Sequence, residues 1–194
     1  MINRNTYIMY DFETGSRNPK TTQPIELAAI AINPRTLEII PGSEFYSLIK
    51  PFDDEEAKAK GVDPLEDGAL EVNKKTREIL KTAPDIKAVW QNFIQYVTSF
   101  NYKGGRWDAP IPVGFNNNGF DDIIIERICC SAPWNLGPKD ERGATLFHPV
   151  QNVDLMRLMF PWMESNTELK SLSMDNLREY FGMDNKNAHT ADQD

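Results

Sequence analysis

Tyr7-Ile8-Met9-Tyr10-Asp11-Phe12-Glu13-Thr14-Gly15 is an apolar run that ends in an acid, an aromatic and a second acid, with a glycine close behind. Tyr7 to Phe12 reads as a buried strand. On a strand that continues to Glu13, side chains alternate between faces, so Asp11 and Glu13 project to one side, about 6–7 Å apart along the chain. Two carboxylates on one face repel each other and invite a divalent cation, and hard ions such as Mg²⁺ take carboxylate oxygens. A lone Asp-x-Glu pair also occurs on solvated strand edges, so its meaning depends on what the rest of the chain brings to it.

Working outward, Arg17–Pro24 is rich in Pro, Thr and Asn and reads as a loop. Ile25–Ile32 is a second apolar strand closed by Asn33-Pro34, and Glu38–Ile49 alternates around a break at Pro41-Gly42, which predicts a third strand. Connections this short favour an antiparallel meander. Asp85–Tyr102 places Ile86, Val89, Trp90, Phe93, Ile94 and Val97 at helical spacing behind an Asp85 cap. Short strands are expected at Ile111–Phe115 and Val150–Val153, and helices at Asp121–Cys130, Asp154–Met163 and Leu169–Phe181, the last stopped by Gly182. Three strands followed by strands separated by helices describe an α/β domain with a mixed sheet, a three-strand antiparallel meander plus parallel strands, flanked by helices. No repeat or internal boundary divides residues 1–194, which read as a single domain.

Composition narrows the function. The 194 residues are 40% hydrophobic and 26% charged, an ordinary balance for a globular domain. A net charge of −8 argues against broad, non-specific coating of nucleic acid, but not against an enzyme that grips a few nucleotides with the help of bound cations. No apolar run reaches the roughly 20 residues that span a bilayer, and a cytoplasmic location is expected. Cys129 and Cys130 are adjacent and read as reduced packing residues, and with only His148 and His189 a structural zinc site is not expected.

Two further stretches carry candidate chemistry. In Gly114-Phe115-Asn116-Asn117-Asn118-Gly119-Phe120-Asp121-Asp122 a strand runs into a Gly/Asn turn, and acids then open a helix. Acids there suit the helix dipole, and asparagines tolerate unusual turn dihedrals. The functional alternative is that Asp121 is a third carboxylate aimed at Asp11 and Glu13. In Ala188-His189-Thr190-Ala191-Asp192-Gln193-Asp194, His189 and Asp194 lie about 140° apart on an ideal helix. They converge only if His189 sits in the loop or first turn, and Asp192 is the rival acid.

Together, Asp11-Phe12-Glu13, Asn117-Asn118-Gly119-Phe120-Asp121 and His189 with Asp194 resemble, in order and spacing, the DEDDh (DnaQ-like) 3′–5′ exonucleases of the RNase H-like superfamily. The pattern is most similar to the nuclease domain of bacterial exonuclease I. The resemblance implies an RNase H-like fold and two Mg²⁺ or Mn²⁺ ions held by Asp11, Glu13, Asp121 and Asp194. It also implies His189 as general base, and a single-stranded DNA 3′ end as substrate, with release of nucleoside 5′-monophosphates. Phe12, Thr14, Asn117 and Phe120 are the implied substrate contacts, each aromatic having core packing as its alternative. Work of this kind belongs to DNA repair and replication, and further C-terminal domains or a polymerase are the partners it implies. Glu26 reads as structural, and Lys74, Lys75, Arg77 and Lys81 as a basic cluster that is either solvated or phosphate-facing.

Two departures from the family pattern stand out. Asn116 occupies the position where relatives often carry histidine, and Asp194 is the last residue, so a domain truncated within its final helix is expected. The rival readings are an RNA exonuclease of the RNase T or oligoribonuclease kind, and a non-catalytic interaction module that keeps the fold.

Overall fold

The computed structural model describes residues 5–183. In chain order its elements are β1 Tyr7–Thr14, β2 Pro24–Ile32, β3 Phe45–Leu48, α1 Asp54–Lys60, α2 Asp67–Val72, α3 Arg77–Lys81, α4 Ile86–Ser99, β4 Ile111–Gly114, α5 Asp121–Cys130, β5 Lys139–Asp140, β6 Gly143–Ala144, β7 Val153–Asp154, α6 Leu155–Ser165 and α7 Met174–Tyr180. Five strands form one sheet in the order β3-β2-β1-β4-β7, while β5 and β6 make a separate two-residue hairpin. β1, β2 and β3 are the antiparallel meander; β4 joins β1, and β7 joins β4, in parallel. This is the RNase H-like α/β arrangement, and it puts β1 at the centre of the sheet.

Apolar runs explain the central strands. In β1, Ile8, Tyr10 and Phe12 alternate inward and are buried, while Tyr7, Met9, Asp11 and Glu13 on the other face keep partial exposure. β2 is buried along most of its length, as expected of a strand covered on both faces. Against the Tyr10/Phe12 face lie α4, through Val89, Trp90, Phe93 and Val97, and α5, through Ile124, Ile128 and Cys129. Phe93 is wholly buried and touches the rings of Phe45, Trp90, Tyr96 and Phe147. Burial pushes the Cys129 thiol up to about 12, which leaves it a protonated packing group. A second, smaller cluster gathers Ile25, Leu65, Leu70 and Leu80 beneath α2 and α3.

Several boundaries differ from the sequence expectation, each for a local reason. The third strand shrinks to Phe45–Leu48, with Ile39 making only an isolated bridge to Ile32, because the turn at Gly42 (φ 73°) separates the two halves. The last described helix starts at Met174 rather than Leu169. Ser173 accepts from the Asn176 backbone N–H at 3.3 Å and so caps the helix there. Asp85 caps α4 as expected, accepting from the Lys87 N–H at 2.8 Å.

Truncating Phe93 to Ala should lower unfolding free energy by about 3–5 kcal/mol, the usual cost of emptying a buried aromatic site. Urea denaturation measures this, and a loss under about 1 kcal/mol would contradict the described core.

Candidate functional site

Three of the acids singled out from the sequence meet at one end of the sheet. A cleft of about 430 Å³ is lined by Asp11 and Glu13 from β1 and by Asp121 from the start of α5. Val72, Asn73, Phe115, Asn116, Phe120, Met156, Leu172 and Ser173 complete its walls. The convergence follows from strand lengths. β4 pairs with β1 only from Tyr7 to Met9 and ends at Gly114. Beyond Met9 that edge of β1 carries no strand partner from β4, and the Phe12 N–H donates instead to Asp121 Oδ1 at 3.1 Å.

The turn that delivers Asp121 is tightly specified. Asn116 adopts a left-handed φ of 59°, a conformation asparagine accepts more readily than most residues. Gly114 must lack a side chain, because a Cβ there would lie 2.7 Å from Cβ of Asn117. Behind the turn, Tyr10 Oη donates to Asp122 Oδ1, Asn152 Nδ2 donates to Asp122 Oδ2 at 2.6 Å, and Asn117 Nδ2 donates to Asn152 Oδ1 at 2.9 Å. The neighbouring acids therefore divide the work, with Asp121 facing the cleft and Asp122 clamped into the scaffold.

Asp154, which the sequence marks only as the start of a helix, braces the turn that carries Asp121. Its carboxylate is buried, caps α6 through the Met156 and Arg157 N–H groups, and accepts from the Asn116 N–H at 2.9 Å and Asn118 Nδ2 at 3.2 Å. It thereby ties the turn before Asp121 to β7 and α6. Asn73 was likewise overlooked. It is buried, and its Nδ2 donates to the Thr14 carbonyl at 2.9 Å, fixing one wall of the cleft. The only sequence signal for Asp154 was its place at a strand-to-helix junction; Asn73 carried none.

The implied substrate contacts separate. Phe120 is half-buried and lines the cleft. The Phe12 ring is 4% exposed and packs in the core, so what it presents to the site is its backbone. Thr14 is buried, its hydroxyl donating to the Ser16 carbonyl at 2.9 Å. Asn117 is fully buried and braces the turn. His189 and Asp194, with the rival Asp192, lie outside the described residues. In the basic cluster, Lys75 contacts Glu26, and Arg77 reaches Asp54 and Asp67, both at 3.1 Å. Lys75 is therefore engaged within the fold, and Arg77 is paired with acids of the chain at its surface.

Electrostatics mark the cleft as strained. Asp121 is 5% exposed, and burial, then the Asp11 carboxylate, push its carboxyl well above the usual carboxylate range, against the Phe12 N–H, which favours the charged form. Burial, then Asp122 and Asp121, raise the Tyr10 phenol as well, so it stays protonated as a donor. Among the described residues, no three His, Cys, Asp or Glu side chains stand close enough to hold a metal ion. The donor set nonetheless fits a hard dication: it is all carboxylate oxygen, and a cation would relieve the repulsion that now raises Asp121.

The family described as Exonuclease (RNase T) matches residues 8–117, more than half the chain, a span that includes Asp11 and Glu13 and stops just before Asp121. No curated protein sequence matches. Among solved structures, exonuclease I in a study of its processivity aligns at 21% identity and a TM-score of 0.67, covering 97% of this chain and 38% of that one. E. coli exonuclease I with a dT13 oligonucleotide aligns at 21% identity and TM-score 0.66, with the same coverage. The zinc-bound E. coli exonuclease I–single-stranded DNA complex gives 21% identity and TM-score 0.68, covering 98% of this chain and 38% of that one. The chain thus spans well under half the length of these relatives. Among the described residues no helix is long and apolar enough to cross a membrane.

Because burial and the neighbouring Asp11 carboxylate raise the Asp121 carboxyl, the group costs stability wherever it is ionised. Its folded pKa exceeds its unfolded one, so the folded chain holds the extra proton. Its unfavourable contribution is absent below the unfolded pKa, near 4, and grows as pH rises toward the folded value. Without divalent cations, Asp121→Asn should therefore melt at a higher temperature than the parent at pH 7, with the gap closing toward about pH 4. A parent at least as stable at pH 7 would overturn this account of the cleft.

Proposed function

The chain belongs to the RNase T exonuclease family, and from that premise we propose that it is a metal-dependent 3′–5′ exonuclease that removes nucleoside 5′-monophosphates from the 3′ end of single-stranded DNA. The observation that carries the reading is the meeting of Asp121 with the Asp11 and Glu13 strand, held by the Phe12 N–H. Solved relatives of the same fold bound to dT13 and dA16 oligonucleotides support the choice of substrate. The reading takes residues 1–194 as a single exonuclease domain.

Asp11, Glu13, Asp121 and Asp194 would hold two Mg²⁺ or Mn²⁺ ions. When bound, such ions lower the pKa of water and stabilise charge on the phosphoryl and leaving oxygens. The chain's own groups do the rest. The His189 imidazole takes the proton of the attacking water, a new P–O bond forms, and the bond to the 3′ oxygen of the preceding nucleotide breaks, that oxygen leaving as a hydroxyl after taking a proton from solvent water. Asp154, Asn117 and Asp122 hold the turn so that Asp121 keeps its position, and positioning is most of what phosphoryl transfer asks of a protein. The half-buried Phe120 offers a face to the terminal base or sugar, with Val72 and Asn73 also lining the cleft.

The family's description keeps an RNA substrate as the second reading.

Matched 5′-labelled single-stranded DNA and RNA oligomers should resolve the choice, with DNA shortened from the 3′ end in Mg²⁺ or Mn²⁺ and spared in EDTA. Asp11→Ala or Asp121→Ala should abolish cleavage, and His189→Ala should slow the chemical step about 10²–10⁴-fold, the usual worth of a general base, with metal binding retained. Parent-rate degradation by the Asp121→Ala protein would refute the assignment.

A further inference from the structure

Two helices that begin at the cleft end together in a group of exposed rings. α6 enters the cleft lining with Met156 in its first turn, and α7 with Ser173 at its cap. At their other ends the helices meet. The Trp162 ring stacks on Phe181 with centroids 5.6 Å apart, and it meets Tyr180 edge-on at 5.5 Å. Both helices therefore lead from the cleft to these rings, and six or seven residues of helical rise put the rings about 10 Å away from it. Phe160, one turn beyond Met156 and on the same face of α6, lies along the way.

The rings are open to solvent: Phe181 is 53% exposed, Phe160 47% and Tyr180 40%. Large apolar side chains left this open on two neighbouring helices mark a binding surface. Its continuity with the cleft selects the occupant. A strand whose 3′ end sits in the cleft must leave past one of its sides, and aromatic faces accept any base. At about 3.4 Å per stacked nucleotide, 10 Å is roughly three nucleotides. Charge is a minor part of the hold. Arg157 and Lys170 lie 3.6 and 3.7 Å from Asp154 and Glu179, and Arg178 is buried, so this surface offers a polyanion stacking more than attraction.

We propose that Phe160, Tyr180 and Phe181 form a stacking platform for the bases of single-stranded DNA about three nucleotides upstream of its 3′ end. The inference rests on the reading of the cleft as the seat of that end.

Steady-state cleavage of dT12 and dT2 in Mg²⁺ tests it, because dT2 ends short of the platform. Phe181→Leu keeps an apolar side chain and removes the aromatic face. It should raise KM for dT12 about tenfold, within the range of losing one base–aromatic stack, and leave kcat and the KM for dT2 within about twofold of the parent. Phe181→Trp should restore the parent KM for dT12. An unchanged KM for dT12, an equal rise for both lengths, or a failure of Trp to restore it would overturn the inference and leave the nuclease reading intact. Sedimentation tests the rival occupant: a parent that is a dimer, broken by Phe181→Glu, would also overturn it, since a second copy would then cover the rings. A parent that cleaves neither oligomer overturns the functional reading, and this inference with it.

Discussion

The hydrogen bond from the Phe12 amide to Asp121 is the constraint on which the rest of the site depends. It needs an amide on the central strand with no ladder partner on one side. That condition is met because β4 stops pairing after Met9 while β1 runs on to Thr14. A longer β4 would claim that edge and leave no room for a carboxylate. Because Phe12 lies between Asp11 and Glu13, the same amide that anchors Asp121 fixes it relative to both strand acids. The ring of Phe12, on the opposite side of the chain, is sunk in the core and prevents the strand from sliding.

Rigidity behind this contact has a cost in charge. Asp121 is buried next to Asp11, and neither burial nor a like charge favours the ionised form. The fold accepts the strain because α5, the Asn116 turn and the Asp154 bridge leave the carboxylate nowhere else to go. Sites held in an unfavourable electrostatic state by their scaffold are commonly sites that wait for a counter-charge. An overall net charge of −8 makes the same point at larger scale: for this chain to grip a polyanion, the attraction must be local.

The legible parts of the sequence were those governed by near neighbours. β1 and β2 announce themselves as apolar runs, α4 through its spacing and its Asp85 cap, and the Asn116 turn through residues that tolerate a positive φ. The acids of β1 and Asp121 could be paired on paper only through a family pattern, since nothing local connects positions 109 residues apart. Where contacts are long-range and the residue type is common, the sequence carried no signal. Asn73 meets the Thr14 carbonyl across 59 residues, and Asp154 meets the Asn116 amide across 38. Both are ordinary polar residues until the sheet brings them together. The basic run at Lys74–Lys81 shows the related limit that composition marks a charge but not its partner: Lys75 turns inward to the buried Glu26, whereas Arg77 pairs with Asp54 and Asp67 at the surface.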